Sequence, residues 1–371
     1  MLSVLQADLP VLPAGLTSAA AVLDAPARPE DADAGADQRI FRLFACCIPV
    51  RGARRSTLCD LQRQSYRLIP NALYEILTVH RGRTVEEVKE ALGHEHAETI
   101  DEYFAFLVEH DFGFWCDDPD AYPELDLTWE APERVTNAII DTGRDSRHDY
   151  ARILAQLDEL GCRALQLRWF HPVPLSELDA VLALTCRNRL RSLDVVVPHT
   201  DELSDEVLEA LCSRHQRVFS VFVHSAPEKR VRRVRGGMAV ISHRPEVVDS
   251  AAHCGQVSPA YFNVTLGAFT EAQAHNSCLN RKISVDERGE IRNCPAMPRS
   301  FGNAASTSLH AALAADGFRD LWKVSKDQVD VCRDCEFRFV CTDCRAFTQN
   351  AADPLSKPAK CAYDPYTAQW R

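Results

Sequence analysis

Residues 332–344 read CRDCEFRFVCTDC, so two CxxC pairs stand five residues apart. This spacing lets two thiolates face one metal ion or cluster from a single turn, and the free backbone N–H groups of that turn can donate to cluster sulfides. The chain has 15 cysteines, and seven of them fall between residues 278 and 361. The pattern therefore predicts that the chemistry of the chain is concentrated at its C-terminal end.

A predicted hairpin brings two further thiols into this region. Residues 282–286 alternate apolar and polar side chains, and a turn at 287–289 returns the chain to Cys294. Cys278 and Cys294 stand at the two bases of the hairpin, where the turn makes residues distant in sequence into neighbours. A structural zinc ribbon would use four or five of the seven thiols and leave these two unexplained. The spacing favours iron–sulfur clusters, with zinc as the alternative.

Length and composition exclude several classes of protein. The chain has 371 residues, a net charge of −11 and 46% hydrophobic residues, which suits two or three folded domains. It has neither the run of roughly 18 to 20 apolar residues of a membrane span nor a secretory signal. We expect a cytoplasmic protein with no membrane partner. The acidic balance disfavours a nucleic-acid partner, and the basic run at 230–235 is interpreted as a solvated loop.

The first 118 residues divide into two parts. Residues 1–38 are rich in Ala, Asp and Pro and are predicted to be a disordered leader. Residues 39–118 are predicted to form a winged-helix-like peptide-recognition module, in which Thr84 and Glu87 have the spacing of a capping box. A hairpin, three helices and a closing strand are predicted at 41–50 with 56–69, then at 71–80, 85–92, 98–110 and 112–115.

The next part alternates strands and helices. Apolar strands recur every 25 to 29 residues, which is the period of βα units and predicts a parallel sheet. Four or five units are too few for a closed eight-stranded barrel, so residues 130–250 are predicted to form a partial, open βα barrel. The strands are predicted at 136–141, 164–170, 192–197, 218–223 and 238–242, with helices at 150–160, 175–186 and 204–214.

The cysteine pattern resembles the SPASM domain of radical S-adenosylmethionine (SAM) peptide-modifying enzymes, although the last short gap has two residues where that pattern usually has three. The resemblance is carried by Cys278, Gly289 with Cys294, Cys332-x2-Cys335-x5-Cys341-x2-Cys344 and Cys361. More closely, four segments resemble the SPASM peptide maturases of grasp-with-spasm systems. They are DCEFRFVCTDCRAF at 334–347, KPAKCAYDPY at 357–366, NSCLNRKI at 276–283 and IPN at 69–71.

This resemblance implies an α/β protein with a SPASM iron–sulfur domain at residues 251–371 and a barrel related to radical SAM enzymes. It implies two [4Fe-4S] clusters, one held by Cys332, Cys335, Cys341 and Cys361, the other by Cys278, Cys294 and Cys344. The second set has only three thiolates. Cys254 is the nearest upstream thiol that could complete it, His275 is an alternative because imidazole can replace thiolate on iron, and an open site is a third possibility.

One motif of radical SAM enzymes has no counterpart in this sequence. Those enzymes carry CxxxCxxC in the loop after the first barrel strand, where the corresponding residues 142–148 contain no cysteine. Cys46, Cys47 and Cys59 have the wrong spacing for that motif. We therefore expect no cleavage of S-adenosylmethionine, and the chain offers no assigned catalytic residue.

Two functions follow from these expectations. In the first, the chain is an accessory maturase that binds a ribosomal precursor peptide and positions it for a partner ATP-grasp ligase. In the second, it is a redox enzyme that uses its clusters on the peptide; a zinc-stabilised binding scaffold is a further alternative. The N-terminal hairpin edge is the expected site of strand addition by the peptide, with Arg51, Arg54 and Arg55 at its turn attracting acidic side chains.

Overall fold

The N-terminal part folds into short strands and three helices because turns interrupt each apolar run. The computed structural model describes residues 39–234 and 236–371, so the predicted leader at 1–38 lies outside the described residues. The elements of this part are β1 Ile40–Leu43, β2 Cys47–Arg51, β3 Ser56–Asp60, β4 Ser65–Ile69, α1 Asn71–Thr78, α2 Val85–Leu92, α3 Ala97–Glu109 and β5 Gly113–Cys116.

The predicted two-stranded hairpin is a three-stranded meander. Strands β2, β3 and β4 pair antiparallel in that order, whereas β1 leaves the run at 41–50 and pairs with β5. The run at 56–69 is divided by a turn in which Gln64 adopts a positive φ of 55°. Local chemistry is as predicted at α2, where Thr84 and Glu87 form the complete capping box.

The rest of the chain builds a mixed α/β fold around one large sheet. Its elements are β6 Asn137–Thr142, α4 Tyr150–Glu159, β7 Ala164–Trp169, α5 Leu175–Ala183, β8 Ser192–Pro198, α6 Asp205–Arg214, β9 Val218–His224, β10 Arg230–Arg233, β11 Val240–His243, α7 Leu266–Ala274, β12 Lys282–Val285, β13 Ile291–Arg292, α8 Leu309–Ala314, β14 Tyr363–Asp364 and β15 Gln369–Trp370. None of the helices in 39–234 and 236–371 combines the length and apolar character needed to cross a bilayer.

The sheet has eight strands in the order β10-β11-β9-β8-β7-β6-β12-β13. Six neighbouring strands, from β11 to β12, run parallel, and the two outermost strands pair antiparallel. The βα strands lie within two residues of their predicted positions. The predicted loop at 230–235 is wrong over Arg230–Arg233, which forms β10, where both Arg230 and Arg232 bond to Asp205.

The cysteine-flanked hairpin is part of this sheet. Strand β12 pairs parallel with β6, and β13 returns beside it as predicted, with Val285 opposite Ile291. The buried core of the sheet extends from Val135 to Trp322, so it includes the hairpin. Because β12 and β13 are fixed on the sheet, the positions of Cys278 before β12 and Cys294 after β13 are fixed as well.

A separate core joins the N-terminal meander to the C-terminal cysteine region. Val50, Cys59 and Leu61 from the meander pack with Phe269, Phe337, Val340 and their neighbours. Helix α8 ends at Ala314, and a 3-10 turn covers Asp320–Lys323, because Gly317 between them adopts a φ of +80°.

Candidate metal centres

Cys278 and Cys294 share a buried lysine. Lys282, in the first position of β12, is only 2% exposed, and its Nζ donates to Cys278 Sγ at 3.2 Å. Burial alone would lower the pKa of Lys282, but Cys278 and Cys294 raise it, and the net shift is upward. The ammonium therefore stays charged between these two thiols.

Cys254 belongs to the same group. The pKa of Cys294 is raised to about 12, first by burial and then by Cys278 and Cys254, while Lys282 acts in the opposite direction. Arg168 Nη1 donates to Cys254 Sγ at 2.6 Å. The Arg168 guanidinium is itself held by two 2.6 Å bonds to the carboxylate of Asp141. A buried cation thus faces Cys254 as another faces Cys278.

Cys344 completes this group of four. Burial, and then the nearby Cys278, raise the pKa of Cys344 to about 11. The Sγ of Cys344 also lies against Gly255, where an added Cβ would meet it at 2.7 Å. Gly255 has a φ of +82°, so both its backbone conformation and the space around it require glycine. We call Cys254, Cys278, Cys294 and Cys344 the second thiol group.

The recorded contacts of His275 include none of these thiols. Its ring packs edge-on against Trp129 with a centroid distance of 5.2 Å. Its pKa is lowered, first by burial and then by Arg281 and Lys323. Its Nδ1 is buried without a hydrogen-bond partner. Of the two candidates for completing the second thiol group, the structure thus places Cys254 with the other thiols and His275 in a different environment.

The remaining thiols form the first thiol group, Cys332, Cys335, Cys341 and Cys361. Burial raises the pKa of Cys332 to about 12, and Cys341 and Cys361 add to this rise while Lys326 opposes it. Burial is also the main cause that raises the pKa of Cys335, and Cys341 adds to this rise. Cys332 lies in a 3-10 turn, Cys332–Asp334, whose tight geometry brings the first CxxC pair together.

A second buried lysine lies in the first thiol group. Lys326 is 4% exposed, and its Nζ donates to the carbonyl of Thr342 at 3.0 Å. Cys341 and Cys332 raise the pKa of Lys326 against the lowering effect of burial. The nearby carboxylate of Asp343 already accepts from Arg345 and Asn276. Each of the two groups therefore has one buried ammonium with three of its four thiols nearby.

Sequence reasoning missed these lysines and the Asp141–Arg168 ion pair. Lys282 reads as the polar member of an alternating strand, yet all four residues of β12 are buried because the strand is covered on both faces. The only sequence signal was the spacing of four residues between Cys278 and Lys282. Lys326 carried no signal that we can identify.

One further set of metal-ligating atoms lies in the N-terminal meander. One donor atom from each of Cys46, Cys47 and Asp60 lies within 4.8 Å of the other two, and in the described ranges no other three His, Cys, Asp or Glu side chains meet this condition. Asp60 already accepts from the backbone N–H groups of Gln62 and Arg63, so it caps a turn. A tetrahedral zinc site with Zn–S bonds of about 2.3 Å would place its thiolates about 3.8 Å apart. In the two C-terminal thiol groups, no three sulfur atoms all lie within 4.8 Å of one another, so these thiols are more widely spaced than in such a zinc site.

The N-terminal meander contacts the first thiol group directly. Arg55 Nε donates to Glu336 Oε1 at 2.8 Å, and Arg55 Nη2 donates to the hydroxyl of Tyr363 at 3.2 Å. Glu336 follows Cys335 in sequence and its side chain is fully buried. The prediction that Arg55 attracts an incoming peptide is therefore wrong, because the guanidinium is bound within the protein. Arg54 remains exposed.

Comparison with known proteins gives only a distant likeness. No protein-family model and no curated protein matches the chain. Among solved structures, it is similar to Streptococcus suis SuiB bound to S-adenosylmethionine, with 9% identity, a TM-score of 0.36 and coverage of 87% of this chain and 97% of SuiB. SuiB bound to precursor peptide SuiA gives 10% identity, a TM-score of 0.33 and coverage of 86% and 97%. Because both TM-scores lie below 0.5, this likeness assigns no function to the chain.

Proposed function

We propose that this protein binds two [4Fe-4S] clusters and serves as an accessory maturase of a ribosomally made peptide. The observation that supports the clusters most strongly is the pair of buried lysines, Lys282 and Lys326. Neither ammonium has a carboxylate within 4 Å in the described part of the chain. Lys282 lies near Cys254, Cys278 and Cys294, and Lys326 lies near Cys332, Cys335 and Cys341. Buried charges in proteins are paired, so these groups suit a bound centre of negative net charge with thiolate ligands.

In this proposal, Cys332, Cys335, Cys341 and Cys361 hold one cluster, and Cys254, Cys278, Cys294 and Cys344 hold the other. Such clusters store and transfer single electrons, and they also cross-link the loops that bind them. With Cys254 as fourth ligand, the second cluster has no iron left open to substrate. This supports a positioning role over the alternative of a redox enzyme acting on the peptide.

We assign residues 39–118 to peptide recognition, residues 130–250 to an open βα unit and residues 251–371 to a SPASM iron–sulfur domain. An apolar groove of about 340 Å³ supports the first assignment. It opens between β1, β2 and the end of α1, and Phe41, Ile48 and Leu77 line it together with Arg83. A groove beside a strand with an unpaired edge suits an extended peptide. We further propose that the chain works in the cytoplasm and presents the precursor to an ATP-grasp ligase.

Metal analysis tests the clusters. Full-length protein purified without oxygen is expected to contain about eight iron and eight acid-labile sulfide per chain. Cys254→Ala is expected to lose iron from the second centre alone, while the matched control Cys186→Ala, which alters an exposed thiol, keeps the full content. Stoichiometric zinc without sulfide would overturn the proposal in favour of a zinc scaffold. If Cys254→Ala keeps the full iron content, Cys254 is not a ligand and the second cluster has an open site.

Photo-crosslinking tests the peptide site. A benzophenone side chain replaces Phe44, which lines the groove and is 37% exposed, or Leu68 on β4, which is 45% exposed and is not a lining residue. Short peptides encoded beside the gene serve as probes. We expect crosslinks from position 44 and none from position 68. Crosslinks from neither position would place peptide capture elsewhere on the protein.

We propose no cleavage of S-adenosylmethionine, because residues 142–148 lack the cysteine triad that would hold the cleaving cluster. Reduced protein incubated with S-adenosylmethionine is expected to form no more 5′-deoxyadenosine than a variant without its seven C-terminal cysteines. A clear excess over that control would refute this part of the proposal.

A further inference from the structure

A cavity of about 300 Å³ lies behind the loop that carries Cys278 and has four cationic residues in its wall. They are Arg134, Arg281, Arg319 and Lys323. This concentration of positive charge contrasts with the net charge of −11 of the whole chain. Like charges held together repel one another, so such a cluster is costly unless counter-charges are close by.

The described residues supply no such counter-charge by direct contact. None of the four cations forms an ion pair within 4 Å with a carboxylate in 39–234 or 236–371. Glu271 is near enough for Arg281 to lower its pKa, but it accepts from Asn280 Nδ2 at 2.8 Å, and burial raises its pKa. Among the described residues, the four cations of the cavity therefore lack a carboxylate at ion-pair distance.

Arg281 is held in place from outside the cavity. Its Nη1 donates to the backbone carbonyls of Ala131 and Glu133, and its guanidinium carbon lies 5.2 Å from the ring centroid of Trp129. Its backbone adopts a φ of +47°, which is unusual for a residue with a side chain. These contacts pre-organise the guanidinium, leaving Nε and Nη2 free of hydrogen bonds among the described residues.

The wall of the cavity also contains two polar groups without partners. Trp322 is 9% exposed, and its buried indole N–H has no acceptor among the described residues. The buried Nδ1 of His275 has no partner in that part of the chain either. Arg319 lies over the Trp322 ring, with 5.6 Å between its guanidinium carbon and the ring centroid. Buried donors without acceptors are uncommon, and each is a candidate for a ligand oxygen.

We infer that this cavity binds a phosphate-type oxyanion carried by a small molecule. Guanidinium groups match phosphate oxygens in pairs, and a lysine adds a point charge. A volume of about 300 Å³ is at the lower end of small-molecule sites, so it suits pyrophosphate or one phosphate-bearing group. Asn280 and Arg281, which line the cavity, lie between Cys278 and Lys282 in sequence, so the anion site adjoins the second thiol group along the chain.

Calorimetry with inorganic pyrophosphate and the full-length protein tests this inference. The exposed residues Arg319 and Lys323 are replaced together by Gln, which leaves the interior contacts of Arg281 intact. We expect at least tenfold weaker binding in Arg319→Gln/Lys323→Gln. Arg144→Gln, which removes an equal kind of charge far from the cavity wall, is expected to bind like wild type.

Two results would overturn the inference: no heat of binding with pyrophosphate, or equal affinity in wild type and the double variant. The same titration with ADP distinguishes two kinds of ligand. If ADP binds with the affinity of pyrophosphate, the site recognises only the phosphates. If ADP binds more tightly, the site also holds the nucleoside. Iron content measured on the same samples separates this test from the proposal about clusters, since the variants change no thiol.

Discussion

Replacing Arg55 by Met is expected to loosen the contact between the N-terminal meander and the first thiol group. The guanidinium is the only cation within 4 Å of the Glu336 carboxylate in the described ranges, and the Glu336 side chain has 0% exposure. Tyr363 also donates to Glu336 Oε1, while Oε2 has no hydrogen-bond partner within residues 39–234 and 236–371. The variant would therefore leave a buried carboxylate with a single hydrogen-bond donor.

The size of the effect follows from burial. Removing one partner of a buried ion pair costs about 3 to 5 kcal/mol. Because 29% of the Arg55 side chain is exposed, water screens part of the interaction, and we expect about 2 to 3 kcal/mol here. Since about 1.4 kcal/mol corresponds to a factor of ten, local opening should become about 30- to 140-fold more frequent.

Amide hydrogen exchange measures this opening at a defined position. The backbone N–H of Ala53 donates to the carbonyl of Asp334 at 2.7 Å across the contact. Its protection should fall by the same factor, about 30- to 140-fold, in Arg55→Met. Arg54→Met removes the neighbouring exposed charge and should leave protection unchanged. Equal protection of Ala53 in both variants would refute the reasoning, because Arg55 would then contribute nothing to the contact.

Three further predictions concern the thiol groups and the sheet. Gly255→Ala should reduce iron to about four per chain, because its Cβ would collide with a thiol, whereas Gly82→Ala, with a φ of +79° and nothing within 4 Å, should keep about eight. Lys282→Met and Lys326→Met should each destabilise one cluster, shown by loss of about half the iron, and iron retained in both would contradict the assigned counter-charge. Burial raises the pKa of Asp194 to about 6, so this carboxyl binds its proton more tightly in the folded protein than in the unfolded chain. The free energy of unfolding should therefore fall as pH rises from about 4 through 6. Asp194→Asn should remove this loss of stability, which is roughly 3 kcal/mol at pH 7. Urea midpoints of the variant and the wild type, measured at each pH, check this.

The parts of the fold that were predicted correctly depend on local sequence. Strands β6 to β9 read as apolar runs because they are buried on both faces, and their period fixes a parallel sheet. The capping box of Thr84 and Glu87 involves only four residues. The hairpin of Cys278 and Cys294 was identified from its alternation and from the turn at Gly289.

The parts that were missed depend on contacts between distant residues. Arg168 and Cys254 are 86 residues apart, and Arg55 and Glu336 are 281 residues apart. No periodicity or spacing reports such pairs. The basic run that forms β10 has the charge of a solvent-exposed loop, which is why the prediction there is wrong. Asp205 on α6 neutralises two of its arginines. The buried lysines were missed for the same reason, since their charge suggests exposure until the surrounding thiols are known.

The carboxyl ends of the strands in the large sheet contact the cysteine-rich region. In open α/β sheets, ligands bind beyond the carboxyl ends of parallel strands. Here, Asp141 in β6 and Arg168 in β7 fill that position with a buried ion pair. Asp141 holds Nε and Nη2 of Arg168, which aims the remaining Nη1 at Cys254. This hydrogen bond from a buried cation fixes the position of Cys254 Sγ. The place where an α/β enzyme would bind its substrate therefore orients a candidate cluster ligand in this protein.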